Sequence, residues 1–250
     1  VVTGPGKNPK KEKQMAGRNE MLAGVTLLLG LHGAPAEMKR MVAPPVPFTH
    51  ATVSLERNVT DGDDEVVFEV DGGEDGLSKL TVTAPNGKVV VEFASPGTGE
   101  MGVRQFRFES PEPLEGAKVR QAYPAGVYTF VGTTPLGEKL ESKATLSHNV
   151  PGSAKGLSPK NEAEVSPQNL TIAWTPAKDA AAHIVVVEQE EMRESITTRL
   201  PGTAQKFVVP AGFLRPGKEY RLGLGTLGRD GNAAYVEASF TTTGGAAGAE

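Results

Sequence analysis

From Phe48 onward, apolar residues recur at every second position rather than every third or fourth. Val53 and Leu55 alternate with Ser54 and Glu56, and Val66, Phe68 and Val70 alternate with Glu65 and Glu69. Phe106 pairs with Phe108 in the same parity, and Tyr128 with Phe130. Successive side chains of a strand point to opposite faces, so this period predicts strands buried on one side. Turn residues interrupt the pattern about every eight to twelve positions, the spacing of a sandwich or barrel. The 30 Gly and 19 Pro among 250 residues supply those turns and disfavour long helices. The fold class read from this is all-β, with two tandem β-sandwiches.

The first strand-rich block runs over residues 48–149. About seven strands fit into it, the size of one immunoglobulin-like sandwich. Pro85-Asn86-Gly87 separates two alternating runs, and Asn-Gly is predicted to close a tight hairpin there. Residues 37–47 form a proline-rich extended lead-in, since proline lacks the amide donor and stiffens the chain. Val150–Gly156, with Pro, Gly and Ser, is read as the junction to a second block over residues 150–243. Residues 244–250 read as a small, flexible tail.

The second block places its single tryptophan, Trp174, in Leu170-x-Ile172-x-Trp174, and opens near Ser158-Pro159. Further on stands Leu214-Arg215-Pro216-Gly217-Lys218-Glu219-Tyr220. These features resemble a fibronectin type III domain. The resemblance implies a core role for Trp174 and Leu214, a turn at Pro216, and a Tyr220 hydroxyl tied back to backbone at a tyrosine corner. Tyr128 is a further structural candidate in the first block. That block is similar to the N-terminal part of exported bacterial proteins of unassigned function that carry such a second domain. The matching residues are Asn58–Asp63, Phe106–Pro113, Tyr123–Tyr128 and Glu138–His148. This second resemblance implies export and brings no activity with it.

Residues 1–36 read as a cleavable signal peptide with a polar leader. Lys7, Lys10, Lys11, Lys13 and Arg18 precede the apolar run Leu22–Leu31, and Ala34-Pro35-Ala36 offers a small-x-small cleavage site. A bilayer span needs about 20 apolar residues, so no stable membrane insertion is expected after cleavage. Removing five basic and two acidic residues takes the formal charge from −4 to −7. The expected location is periplasmic or extracellular. Either Met15 or Met21 can serve as initiator in this reading.

Little in the sequence points to a reaction centre. The absence of Cys removes thiolate zinc sites, iron–sulfur clusters and cysteine nucleophiles. His50, His148 and His183 stand apart, and neither H-E-x-x-H nor G-x-S-x-G occurs. Asp61, Asp63 and Glu65 form the densest acidic run and are the candidate calcium ligands, since calcium takes clustered oxygens. The same residues satisfy turn geometry, and the EF-hand spacing is missing. Arg229-Asp230-Gly231 lies between the last two strands, where turn chemistry explains Asp-Gly better than adhesion does. The acidic balance and scattered Lys and Arg argue against nucleic acid.

The reading that follows is a non-catalytic exported interaction or scaffold protein, with no cofactor. Its partner is a protein or cell-envelope component met at sandwich edges or loops. Carbohydrate or cell-wall binding is the alternative, with Tyr123 and Tyr235 as the exposed-ring candidates. A carboxylate-based hydrolase comes third, and a buried acid pair of raised pKa would favour it.

Overall fold

A computed structural model describes residues 43–95, 99, 101–112 and 115–244. The expected signal peptide 1–36, residues 37–42 of the expected lead-in and 245–250 of the expected tail lie outside the described residues.

The alternating runs of the first block become β1 (His50–Asn58), β2 (Asp64–Asp71), β3 (Lys79–Thr83), β4 (Val89–Ala94), β5 (Gln105–Glu109), β6 (Gly126–Thr133) and β7 (Lys139–Leu146). A short helix, α1 (Gly116–Ala122), follows β5. The second block supplies β8 (Lys155–Ser158), β9 (Ala163–Val165), β10 (Thr171–Thr175), β11 (Ala182–Gln189), β12 (Glu194–Pro201), β13 (Lys206–Val208), β14 (Glu219–Leu227) and β15 (Ala233–Thr242). In each block a three-stranded layer faces a four-stranded one. The first packs β1-β2-β5 against β4-β3-β6-β7, and the second packs β8-β10-β13 against β12-β11-β14-β15. The protein is all-β in two tandem sandwiches.

The hydrophobic alternation fills two cores. Leu55, Phe68, Leu80, Tyr128, Phe130 and Leu146 are buried in the first. Ile172, Trp174, Val185, Val187, Leu214, Tyr220, Leu224 and Phe240 are buried in the second. Burying one such side chain contributes about 1.5–3 kcal/mol, so each core is substantial by itself.

The two sandwiches share a sheet. The end of β1 pairs in parallel with the start of β15, with Glu56, Arg57 and Asn58 opposite Ala233, Ala234 and Tyr235. One sheet therefore runs β12-β11-β14-β15-β1-β2-β5 through both halves. Registered partners point to the same side, so both cores lie on one face of it. The end of β15 pairs in parallel with β9, of its own sandwich. Between these contacts, Thr60 Oγ1 accepts from Glu237 N (2.8 Å) and Asn161 Oδ1 from Ser239 N (2.8 Å). The β15 edge is thus covered along its length.

Two local expectations change. The hairpin after β3 is a three-residue one. Gly87 N donates to Ala84 O (2.9 Å) and Ala84 N to Lys88 O (2.8 Å). Only Gly87 takes a positive φ (81°), while Asn86 does not. Pro85 fixes its own φ near −65°, which suits the second position of a type I turn and leaves a single left-handed residue for glycine. Helix α1 was not foreseen, because seven residues are too few for helical periodicity to show.

Candidate functional site

The proposed calcium ligands do not converge. Asp61 Oδ2 accepts from Asn58 Nδ2 (3.0 Å) within the β1–β2 turn, and Asp63 contributes its carbonyl to Asn58 N (3.1 Å). Glu65 instead projects from the open face of β2, opposite Glu56. Among the described residues no group of three His, Asp or Glu is placed to hold a metal ion. Turn geometry accounts for Asp61 and Asp63 here, as the Asx and Gly preferences of turns require.

Asp64, between them, is the charge that sequence reasoning passed over. It is fully buried. Arg57 donates to it through Nε (2.6 Å) and Nη2 (3.0 Å), and Arg120 of α1 through Nη2 (2.8 Å). The signal was available: Asp64 shares parity with Val66, Phe68 and Val70, so it faces inward and needs partners. The clamp holds α1 against β2. Gly116 stands so close that a Cβ there would meet Asp64 Oδ2 at 2.5 Å.

The histidines stay separate. His50 Nε2 lies 3.8 Å from Glu69, with both side chains half exposed. His148 Nε2 donates to Tyr123 O (2.9 Å). His183 is buried on the core face of β11, donates from Nε2 to Gly202 O (3.2 Å), and meets the Trp174 ring edge-on at 5.4 Å. Burial holds its pKa below the ordinary histidine range. Among the described residues, Trp174 Nε1 and Thr226 Oγ1 are buried without a hydrogen-bond partner.

Two tyrosine hydroxyls tie back to backbone at strand corners. Tyr220 OH accepts from Arg215 N (2.8 Å) and donates to Phe213 O (3.4 Å). Leu214 is buried beneath this turn, while Pro216 is exposed ahead of Gly217, which takes φ 68°. Tyr128 OH donates to Pro124 O (3.0 Å), a second corner at the matching strand of the first sandwich.

The seam between the sandwiches is the most elaborate polar site. Asn232 is fully buried there. Its Oδ1 accepts from Leu55 N (2.8 Å), and its Nδ2 donates to Asn149 O (2.7 Å), Ser147 Oγ (2.9 Å) and Ser147 O (3.0 Å). Ser147 Oγ donates in turn to Asp230 Oδ2 (2.6 Å). The Arg229-Asp230-Gly231 loop therefore forms a turn, and it docks on the first sandwich.

On the open face beside this seam, Arg107 donates to Glu69 (2.9 Å) and Glu109 (2.5 Å) and lies 3.7 Å from Glu56. Glu65 joins them. Burial, then the neighbouring Glu56, Glu109 and Glu112, push its pKa up to about 7. Glu56 is raised too, chiefly by burial, against the pull of Arg107. A concavity of about 480 Å³ includes His50, Glu56, Glu69, Arg107 and Tyr235 in its lining. A groove of about 560 Å³ continues past Tyr235 over Val186, Arg221, Gly223 and Glu237. Glu56 and Glu65 project side by side from adjacent strands, and both carboxyl pKa values are raised.

The two candidate sugar-stacking rings do not form one platform. Tyr123 is half-buried and packs on Phe68 at 5.9 Å within the first core. Tyr235 lies on the open face across Gly225, where a Cβ would come within 2.6 Å of the ring. No helix among the described residues is long and apolar enough to cross a membrane.

No family model matches the chain, and no curated protein matches it. Solved structures similar to it include the FN1–FN3 domains of chicken CNTN1. That match has 14% identity and a TM-score of 0.30, and covers 81% of this chain and 68% of that one. A two-domain fibronectin type III segment of chicken tenascin matches at 13% identity and a TM-score of 0.30, over 76% of this chain and 97% of that one. The sandwich architecture rests on the strand order and the two cores described above.

Proposed function

We propose that this chain is a non-catalytic exported interaction protein, a rigid two-sandwich platform that takes a protein partner at a sheet edge. The observation carrying this reading is the fused sheet. Its β15 edge is covered and its central strands are paired on both sides, which leaves β12 as a long terminal edge. Unpaired edge strands accept a further strand through main-chain hydrogen bonds, with alternate side chains setting specificity. Fixed geometry at the seam lowers the ordering cost of binding at the far end.

A photoreactive residue at Thr197, exposed on β12, tests the reading against the same probe at Lys143 on β7. Capture is expected at β12 and not at β7. Thr198→Lys, which sets a charge on the edge, should abolish it. Equal capture at both positions, or capture unchanged by Thr198→Lys, would overturn the edge reading.

A further inference from the structure

We propose that β12 is the two-fold interface of a homodimer, pairing antiparallel with β12 of a second copy about Thr198. This rests on the edge reading above and names the partner.

Natural sheet edges carry devices against self-pairing: shortness, bulges, central charge, or a covering segment. The other open edges have them. β13 has three residues and β8 four. β5 carries Arg107 at its centre. β4 pairs with β3 through a register shift. β7 is bridged in parallel by Val46, whose N donates to Lys139 O (2.9 Å) and whose O accepts from Glu141 N (2.9 Å). Among the described residues β12 has no shortness, shift or cover, and its charges Glu194 and Arg199 and its Pro201 lie off its centre. It is eight residues long and pairs with β11 without a shift from Glu194 to Pro201.

Its sequence is also self-complementary in one register. A two-fold interface must match its own patch, and paired residues must share a face. Ile196, Thr198 and Leu200 lie opposite Val187, Val185 and His183, on the core side, while Ser195, Thr197 and Arg199 lie on the open side. Pairing about Thr198 sets Ile196 against Leu200 twice on the core side and Thr197 against Arg199 twice on the open side. Ile196 and Leu200 are half-buried against the second core, and this pairing would extend that core across the dimer. Pairing about Thr197 would set Ile196 against Thr198 and Leu200 against Glu194. Pairing about Arg199 would oppose two guanidinium groups. The Thr198 register avoids both faults.

The chain contains no cysteine, so single cysteines report the register directly. Light scattering of the 250-residue chain should give twice the chain mass. Under mild oxidation Thr198→Cys should cross-link to a dimer, and Arg199→Cys should do so at least about tenfold more slowly, its partner lying one diagonal away. Thr198→Lys places like charges opposite each other and should weaken dimerisation by about tenfold or more, with the unfolding midpoint retained as a check on folding. A monomer at the highest soluble concentration would overturn the proposal. So would a dimer that cross-links faster through Arg199→Cys, or one that Thr198→Lys leaves intact. A monomer that still captures a foreign protein at Thr197 would overturn the second copy as partner and leave the edge reading standing.

Discussion

The two sandwiches follow one strand plan, yet they secure it by different chemistry. In both, a tyrosine on the same strand of the four-stranded layer anchors the corner before it: Tyr128 in the first and Tyr220 in the second. In the second, the corner is the Leu214–Gly217 turn. Thr242 fastens it, with Oγ1 donating to Arg215 O (2.6 Å) and accepting from Lys218 N (2.9 Å). In the first, helix α1 takes that place, held by the buried Asp64 between Arg57 and Arg120. A neutral hydroxyl in a turn and a charged clamp under a helix thus solve the same problem. A sandwich fixes which strands meet, and leaves open how the chain crosses between layers.

The second core is expected to depend most on its tryptophan. Trp174→Ala should cost about 3–5 kcal/mol in denaturant unfolding, as large aromatic deletions do. A loss under about 1 kcal/mol would mean that the second sandwich draws its stability from the seam rather than its core. Asn232→Ala addresses the seam itself. It strands the buried Leu55 N–H and the Asn149 carbonyl, at a cost of about 2–3 kcal/mol. The wild type should melt in one transition and this variant in two. A single unshifted transition would show that Asn232 does not couple the sandwiches.

Tyr128→Phe and Tyr220→Phe should each lose about 0.5–1.5 kcal/mol, one hydrogen bond's worth. Equal losses would make the corners equivalent. A larger loss at Tyr220 would show that the turn relies on the hydroxyl more than the helix does.

The smallest effect is a pH dependence confined to the first sandwich and the seam. The pKa of Glu65 is raised to about 7 in the folded protein, so the folded state holds a proton that the unfolded state releases near the ordinary value of 4.5. Stability therefore falls as pH rises through that window and levels off above it. Glu65 is half-buried, and solvent screening reduces the effect to about 1 kcal/mol. Glu65→Gln should flatten the midpoint profile between those pH values and raise the midpoint at pH 8, whereas Glu188→Gln in the second sandwich should leave the slope unchanged.

Much of this was legible in the chain. Strand period, turn positions and the shared face of Leu170, Ile172 and Trp174 follow from residues within a few positions of one another, whereas the Tyr220 corner is what the resemblance to a fibronectin type III domain implies. Asp64 was legible as well, since its parity placed a charge among Val66, Phe68 and Val70. The acidic run carries two readings in the sequence, calcium ligands or turn residues. Strand alternation sends Asp64 inward and Glu65 outward, and the turn keeps Asp61 and Asp63.

By itself the sequence determined two sandwiches, because burial on a strand and positive φ at a turn leave a mark on the residue that experiences them. Only the tertiary structure decided that β1 would continue the sheet of the other sandwich. It also brought Asn232 to Leu55, 177 positions away. Pairing between distant edges is made of main-chain hydrogen bonds common to every residue, so it writes almost nothing into the side chains. The one polar side chain that secures it, Asn232, looks in sequence like an ordinary turn residue.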